Sequence, residues 1–314
     1  MPKNGKLAVE FLNKVLAEGA RIPPEDMMFS YKGVLFPAAV CNPGTLQALE
    51  SFEARTDDII LAGYPKTGTN WLDHIINNLE NTAAKYTEEE MKKITDLEKE
   101  LEVAMRLEFG DPDKFKRMKK LPSRRIIITH LSPHLLPTSV FKNKAKILVL
   151  IRNPKDTLVS YFHFKNKVGF FPPSGWDDYF TSFMDGKVGW GSYFDYVAEW
   201  DKYTDDENII AISYEELKEN PNVGLKEIAQ FLGFSLSEEE IQSVVEKSTF
   251  TAMKEKASET HGTFGDILFR KGSVGDWKSM FSESQNKEMD GRFEECLSRT
   301  KLGAKIKYDV YCKA

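Results

Sequence analysis

The chain has 314 residues, 41% of them hydrophobic and 29% charged, with a formal net charge of −5. That composition is ordinary for a globular protein able to bury a sizeable core. The acidic balance argues against a nucleic-acid partner, and no apolar run is long enough to span a membrane or act as a secretory leader.

The first strong element is an apolar run over 58–62, which reads as a strand buried on both faces. It breaks into Gly63-Tyr64-Pro65-Lys66-Thr67-Gly68-Thr69-Asn70, and a helix is expected from about Thr69, with Trp71, Leu72, Ile75, Ile76 and Leu79 at helical spacing. Backbone N–H groups in such a loop, at the positive end of a helix, form an anion site, and Lys66 adds a mobile cation. A nucleotide-triphosphatase loop is excluded, because there the lysine follows the second glycine, whereas Lys66 precedes Gly68. The anion is therefore expected to be neutralised by side chains, without a metal. Taken alone, the segment has a less favoured reading as a strand–turn–helix corner with an exposed lysine.

A charged helical pattern follows over about 87–107, and further buried strands are expected at 125–129, 145–151 and 208–213. His130 closes the first of these strands, and an ordinary imidazole pKa suits a general base at neutral pH. A satisfied core histidine is the alternative; His74, His134, His163 and His261 are less well placed. Arg152 closes the strand over 145–151, just before a helix expected at about 155–167. It is placed for a fork-like grip on a phosphate, with Ser160 about two turns along the same helix. The competing reading pairs Arg152 with Asp156.

Helices are also expected over about 191–203, from Asn220-Pro221 to Leu232 with Gly233 as the stop, and from a capped start at Ser237. Near the C-terminus, Arg270-Lys271-Gly272 and Gly275-Asp276-Trp277-Lys278 put cations and glycines in one loop, a weak signal alone.

Strands alternating with helices imply one α/β domain over 1–314, with a central parallel sheet and helices on both faces. Its core is expected at about 40–300, with the N-terminal segment and the C-terminal tail peripheral. The stretches 110–122, 169–189 and 258–275 read as excursions over the ligand edge of the sheet. Three widely spaced cysteines, Cys41, Cys296 and Cys312, fit neither a disulfide framework nor metal-ligand spacing, so a cytoplasmic location is expected.

Together these motifs resemble the cytosolic sulfotransferase family, over most of the chain from Tyr31 to Trp277. The resemblance implies a P-loop-like fold related to nucleotide kinases and transfer of a sulfuryl group from 3′-phosphoadenosine 5′-phosphosulfate (PAPS). The acceptor would be a hydroxyl or amine of a small molecule such as a phenol, iodothyronine, steroid or alcohol. It implies that Lys66, Thr67, Gly68, Thr69 and Asn70 hold the 5′-phosphosulfate, and that Trp71 packs on the adenine. Arg152 and Ser160 would bind the 3′-phosphate together with Arg270, Lys271 and Gly272. Tyr214, Ser248, Thr249, Phe250 and Met253 would complete the adenine pocket. His130 would be the catalytic base, with Lys66 at the leaving oxygen and Ser160 beside them. Phe162, Phe164, Phe171 and Phe194 would line the acceptor pocket, although any one of them could be plain core.

The chain departs from that family in three places. Ile128 stands where many members carry a lysine two residues before the histidine, and Asn70 stands where many have threonine. The family's C-terminal dimer motif is degraded to Lys278, Ser282-Glu283 and Lys287, which leaves at most a weak homodimer. Two other readings stay open. A nucleotide kinase shares the fold logic but would need magnesium and the missing Gly-Lys-Ser/Thr. A nucleotide-binding module with little turnover is favoured only by Ile128.

Overall fold

A computed structural model describes residues 5–101, 103, 105–257 and 264–313. The expectation for His261 lies outside them. Strands β1 (Met28–Tyr31) and β2 (Val34–Pro37) form an antiparallel hairpin. The central sheet contains β3 (Ile59–Gly63), β4 (Ile126–Thr129), β5 (Lys146–Ile151) and β6 (Ile209–Ser213), all parallel, in the order β4-β3-β5-β6. Each begins one residue later than the sequence suggests.

The near-continuous apolarity of these strands follows from burial on both faces. Ile59, Leu61, Leu148 and Leu150 pack against Leu72, Ile75 and other residues of the helix Thr69–Ala84 and its neighbours. Ile60, Ala62, Ile147 and Val149 face the larger cluster on the opposite side. At the amino-terminal edge, Arg125 makes a buried ion pair with Asp58, its Nε donating to Oδ1 at 2.7 Å.

The strand order reverses at β3, since the chain moves out to β4 and returns on the other side as β5. Ligand crevices of open α/β sheets lie at such a switch point, beyond the carboxyl ends of the strands. The anion loop after β3, His130 after β4 and Arg152 after β5 all occupy that edge.

The structure corrects several expectations. The helix expected over 87–107 is Glu88–Lys99, opened by a capping box between Thr87 and Glu90. The chain then leaves the helix to lie along the free edge of β4: Ile128 N–H donates to Met105 O at 2.8 Å and Leu107 N–H to Ile128 O at 3.0 Å. Sheet pairing overrides helix propensity there. The excursion over 169–189 contains its own helix, Trp176–Met184. Neither terminal segment is peripheral. Lys155 Nζ donates to Cys312 O at 2.7 Å, Trp277 Nε1 donates to Tyr311 O at 2.9 Å, and Val15 in the helix Gly5–Gly19 is buried. Ser282 and Gln285 form the capping box of the helix Glu283–Cys296, which occupies part of the altered dimer motif. Among the described residues, no helix is long and apolar enough to cross a membrane.

Candidate active site

The anion loop is a tight turn rather than a flexible tip. Thr67 N–H and Thr67 Oγ1 both donate to Tyr64 O, at 3.2 and 2.7 Å. Thr67 therefore closes the loop from beneath and does not enter the cavity wall, unlike its neighbours Lys66, Gly68, Thr69 and Asn70. Gly68 has φ 109°, and a Cβ there would stand 2.8 Å from the Tyr214 ring, so only glycine fits. Lys66 itself has φ 70°, an uncommon conformation for an L-residue with a side chain, of the kind retained at functional sites.

Arg152 grips the loop from the neighbouring strand. Its Nη1 donates to Lys66 O at 3.1 Å and its Nη2 to Ser273 O at 3.2 Å. Asp156 stands 3.9 Å away, but that carboxylate accepts from the N–H groups of Gly275 and Trp277, at 2.8 and 3.0 Å. Asp156 thus ties down the basic C-terminal loop and also pairs with Arg152, as the competing reading of the sequence has it. In that loop, Arg270 and Lys271 both pair with Asp276. Gly272 has φ 61°, and a Cβ would overlap the ring of Phe250.

One cavity of about 480 Å³ unites these elements. Its polar end is walled by Lys66, Arg152, Ser160, Arg270 and Lys271. Trp71, Tyr214, Ser248, Thr249, Phe250 and Met253 form an adjoining wall, in which Trp71 Nε1 donates to Ser248 O at 2.8 Å. At the polar end four cations, Lys66, Arg152, Arg270 and Lys271, stand with two carboxylates, Asp156 and Asp276. The Lys66 ammonium is pushed down to about 7 by burial and by the guanidinium groups of Arg152, Arg270 and Arg106. Arg152 Nε and Ser248 Oγ are buried without a hydrogen-bond partner. Such unsatisfied donors at a focus of positive charge fit an anionic, hydrogen-bonding ligand.

His130 stands where the polar and apolar ends meet. Its Nδ1 is 2.6 Å from Gly63 O, and its N–H donates to Glu108 Oε1 at 2.9 Å. The Trp190 ring stands edge-on to the imidazole, 5.2 Å between centroids. Burial is the main cause that pushes its pKa down to about 4; the nearby Arg106 and Lys66 act in the same direction, while Glu108 opposes them. The imidazole is therefore neutral at physiological pH, in contrast to the ordinary value expected from sequence.

The apolar end is lined by Phe109, Phe164, Phe170, Phe171, Trp190 and Phe264, and Lys66 Nζ lies 4.4 Å from the Phe164 ring centroid. Phe162 and Phe194 are not in this wall. On the helix Pro154–Val168, Ser160 and Phe164 are one turn apart and share a face, whereas Phe162 points away and packs on Trp176 and Tyr179. Phe194 is fully buried against Tyr193 in the core.

A sequence profile for the sulfotransferase domain matches residues 56–301. The chain belongs to the sulfotransferase family. Sulfotransferase 6B1 of Mus musculus is 48% identical over 307 residues, covering 98% of this chain and 98% of that protein. Sulfotransferase 6B1 of Homo sapiens is 49% identical over 306 residues, covering 97% of each. A crystal structure of mouse sulfotransferase SULT7A1 complexed with PAP matches with a TM-score of 0.79 at 32% identity, covering 92% of this chain and 99% of that one.

This sulfotransferase also places residues in its site that sequence reasoning passed over. His74 lines the cavity, although its Nε2 is engaged with Lys247 O at 3.1 Å. Glu108 holds the backbone of His130 and the hydroxyl of Thr129. Arg106 lies in the wall with its Nη2 donating to Asn70 Oδ1 at 2.6 Å. The charge missing at Ile128 was the sole sequence clue to Arg106. His134 pairs with Glu199, away from the site.

Proposed function

We propose that this sulfotransferase moves the sulfuryl group of PAPS to a hydroxyl or amine of a small, largely apolar acceptor. The observation that carries the reading is one cavity with a cation-rich end, an aromatic end and a neutral imidazole between them.

The residues fit the donor. The amides and Lys66 of the anion loop would hold the 5′-phosphosulfate. Arg152, Ser160, Arg270, Lys271 and Gly272 would hold the 3′-phosphate, and Trp71, Tyr214 and the residues 248–253 would enclose the adenine. Bound there, the donor supplies an activated sulfuryl group on a phosphate leaving oxygen.

His130 then accepts the proton of the acceptor hydroxyl as the new O–S bond forms. The bond from sulfur to the 5′-phosphate oxygen breaks in line with it, and its electron pair leaves with that oxygen. Lys66 stabilises the charge developing there, so the chemistry rests on positioning and electrostatics without a metal. Phe164 and Phe171 would contact the acceptor; phenols, iodothyronines, steroids and alcohols suit such a wall. We place the enzyme in the cytoplasm, as a monomer or weak homodimer.

Thermal denaturation with added 3′-phosphoadenosine 5′-phosphate (PAP) tests the donor assignment. A ligand that binds the native state at roughly 100 times its Kd adds about 2.7 kcal/mol of stability. Stabilisation by PAP and not by magnesium ATP supports the reading; the reverse would replace it with a kinase.

A further inference from the structure

Ile128 is apolar where the family resemblance implies a lysine, yet the fold delivers a cation to that place from another segment. Residues 105–107 lie along the free edge of β4, and Arg106 is the parallel bridge partner of Ile128. Residues opposed on adjacent strands stand about 4.8 Å apart and put their side chains on the same face of the sheet. From there the Arg106 guanidinium reaches the anion loop, donating to Asn70 Oδ1 at 2.6 Å, and lies 5.5 Å from the Phe109 ring centroid.

The segment carrying Arg106 is held firmly. The buried Lys114 ammonium donates to the carbonyls of Arg106 and Leu107, at 2.7 and 2.6 Å, and to that of Phe109. Glu108, two residues after Arg106, is the carboxylate that holds the His130 backbone. One short stretch thus fixes both the base and a guanidinium beside it. The charged groups around Arg106 are Asp73, Glu108, Lys66 and His130.

We propose that Arg106 is a catalytic residue, the second cation of the transfer centre, which contacts the sulfuryl oxygens and supplies across the β4 edge the charge that Ile128 lacks. The proposal rests on the sulfuryl-transfer reading above. It also assigns a role to the anion-loop residue Asn70, whose side-chain oxygen orients the guanidinium.

The test compares Arg106→Met, Arg106→Lys and the double variant Arg106→Met/Ile128→Lys with the wild type. Steady-state kinetics, PAP affinity by calorimetry, melting temperature and the His130 pKa by NMR are read for each. Arg106→Met should lower kcat by about 10²–10³-fold, the usual cost of removing one charge-stabilising donor. Its PAP affinity and acceptor KM should stay within about threefold, since the effect falls on the transition state. Arg106→Lys should keep most of the rate. The double variant should recover at least about tenfold of the loss, because the ammonium enters from the adjacent strand. Loss of the guanidinium should also raise the His130 pKa, because its charge helps to hold that pKa down.

The proposal is overturned if Arg106→Met keeps its kcat, or if only the acceptor KM rises. It is also overturned if neither lysine-bearing variant exceeds Arg106→Met. Should Arg106→Met fail to fold, the two lysine-bearing variants decide by the same comparison with the wild type. A wild-type protein that forms no sulfated product would instead sink the transfer reading itself.

Discussion

His130 Nδ1 lies 2.6 Å from the carbonyl oxygen of Gly63, the last residue of β3. A carbonyl can only accept, so Nδ1 carries the proton and Nε2 keeps its lone pair. The strand that feeds the anion loop therefore also sets the tautomer of His130. His130 and the anion loop are positioned by one backbone.

His130→Ala should lower kcat by about 10²–10⁴-fold, the range for a general base, while PAP affinity stays within about threefold. The pH profile follows from burial. Because the imidazole is held down to about 4, the base form persists through neutral pH, and kcat/KM should fall only in acid, as pH drops toward that value. Retained activity in the alanine variant would remove His130 from the mechanism.

Lys66 should take up a proton when an anion binds. Its folded pKa of about 7 means that the ammonium is largely lost in the free protein at pH 8 and is restored by a neighbouring phosphate. Calorimetry of PAP binding in buffers of different ionisation enthalpy should show net proton uptake near pH 8. Lys66→Met should abolish that uptake and weaken both binding and turnover. Equal proton uptake by both proteins would assign the titration to another group.

Arg152→Ala should separate the two phosphate subsites. Loss of a charge-assisted contact costs about 1.5–3 kcal/mol, or roughly 10- to 100-fold in affinity. PAP should weaken by that factor, whereas adenosine 5′-phosphate, which lacks the 3′-phosphate, should change far less. Equal weakening of both ligands would place Arg152 at the 5′ end.

Stability should depend strongly on the pair at the far edge of the sheet. Arg125→Met leaves Asp58 buried with its main partner gone, and breaking such a pair costs about 3–5 kcal/mol. Urea denaturation should show that loss. A change below about 1 kcal/mol would mean that water reaches Asp58 once the arginine is removed.

The parallel strands were legible because burial on both faces leaves unbroken runs of branched apolar residues. Arg152 and His130 were legible because each directly follows such a run, and Lys66 because it stands in the glycine-rich loop that ends one. Asn220-Pro221 and Gly233 bounded their helix for local reasons, through the fixed proline φ and the left-handed cap. The failures were non-local. Nothing near 105–107 announces pairing with β4, so Arg106 was hidden inside an apparent helix. Thr67 turns its hydroxyl back on Tyr64, a turn detail that composition does not reveal. Phe162 and Phe194 were misplaced because aromatic content does not say which helix face meets the cavity. The C-terminal tail is anchored by Lys155, whose burial depends on partners more than a hundred residues away.

The central claim is metal-free sulfuryl transfer from PAPS at this cavity. Its most direct test is mass spectrometry of wild-type protein incubated with sulfur-labelled PAPS, a panel of phenols, steroids, alcohols and amines, and a chelator. The account predicts labelled sulfate on at least one acceptor, with PAP released in equal amount. PAP binding without any acceptor-dependent release of PAP would contradict it.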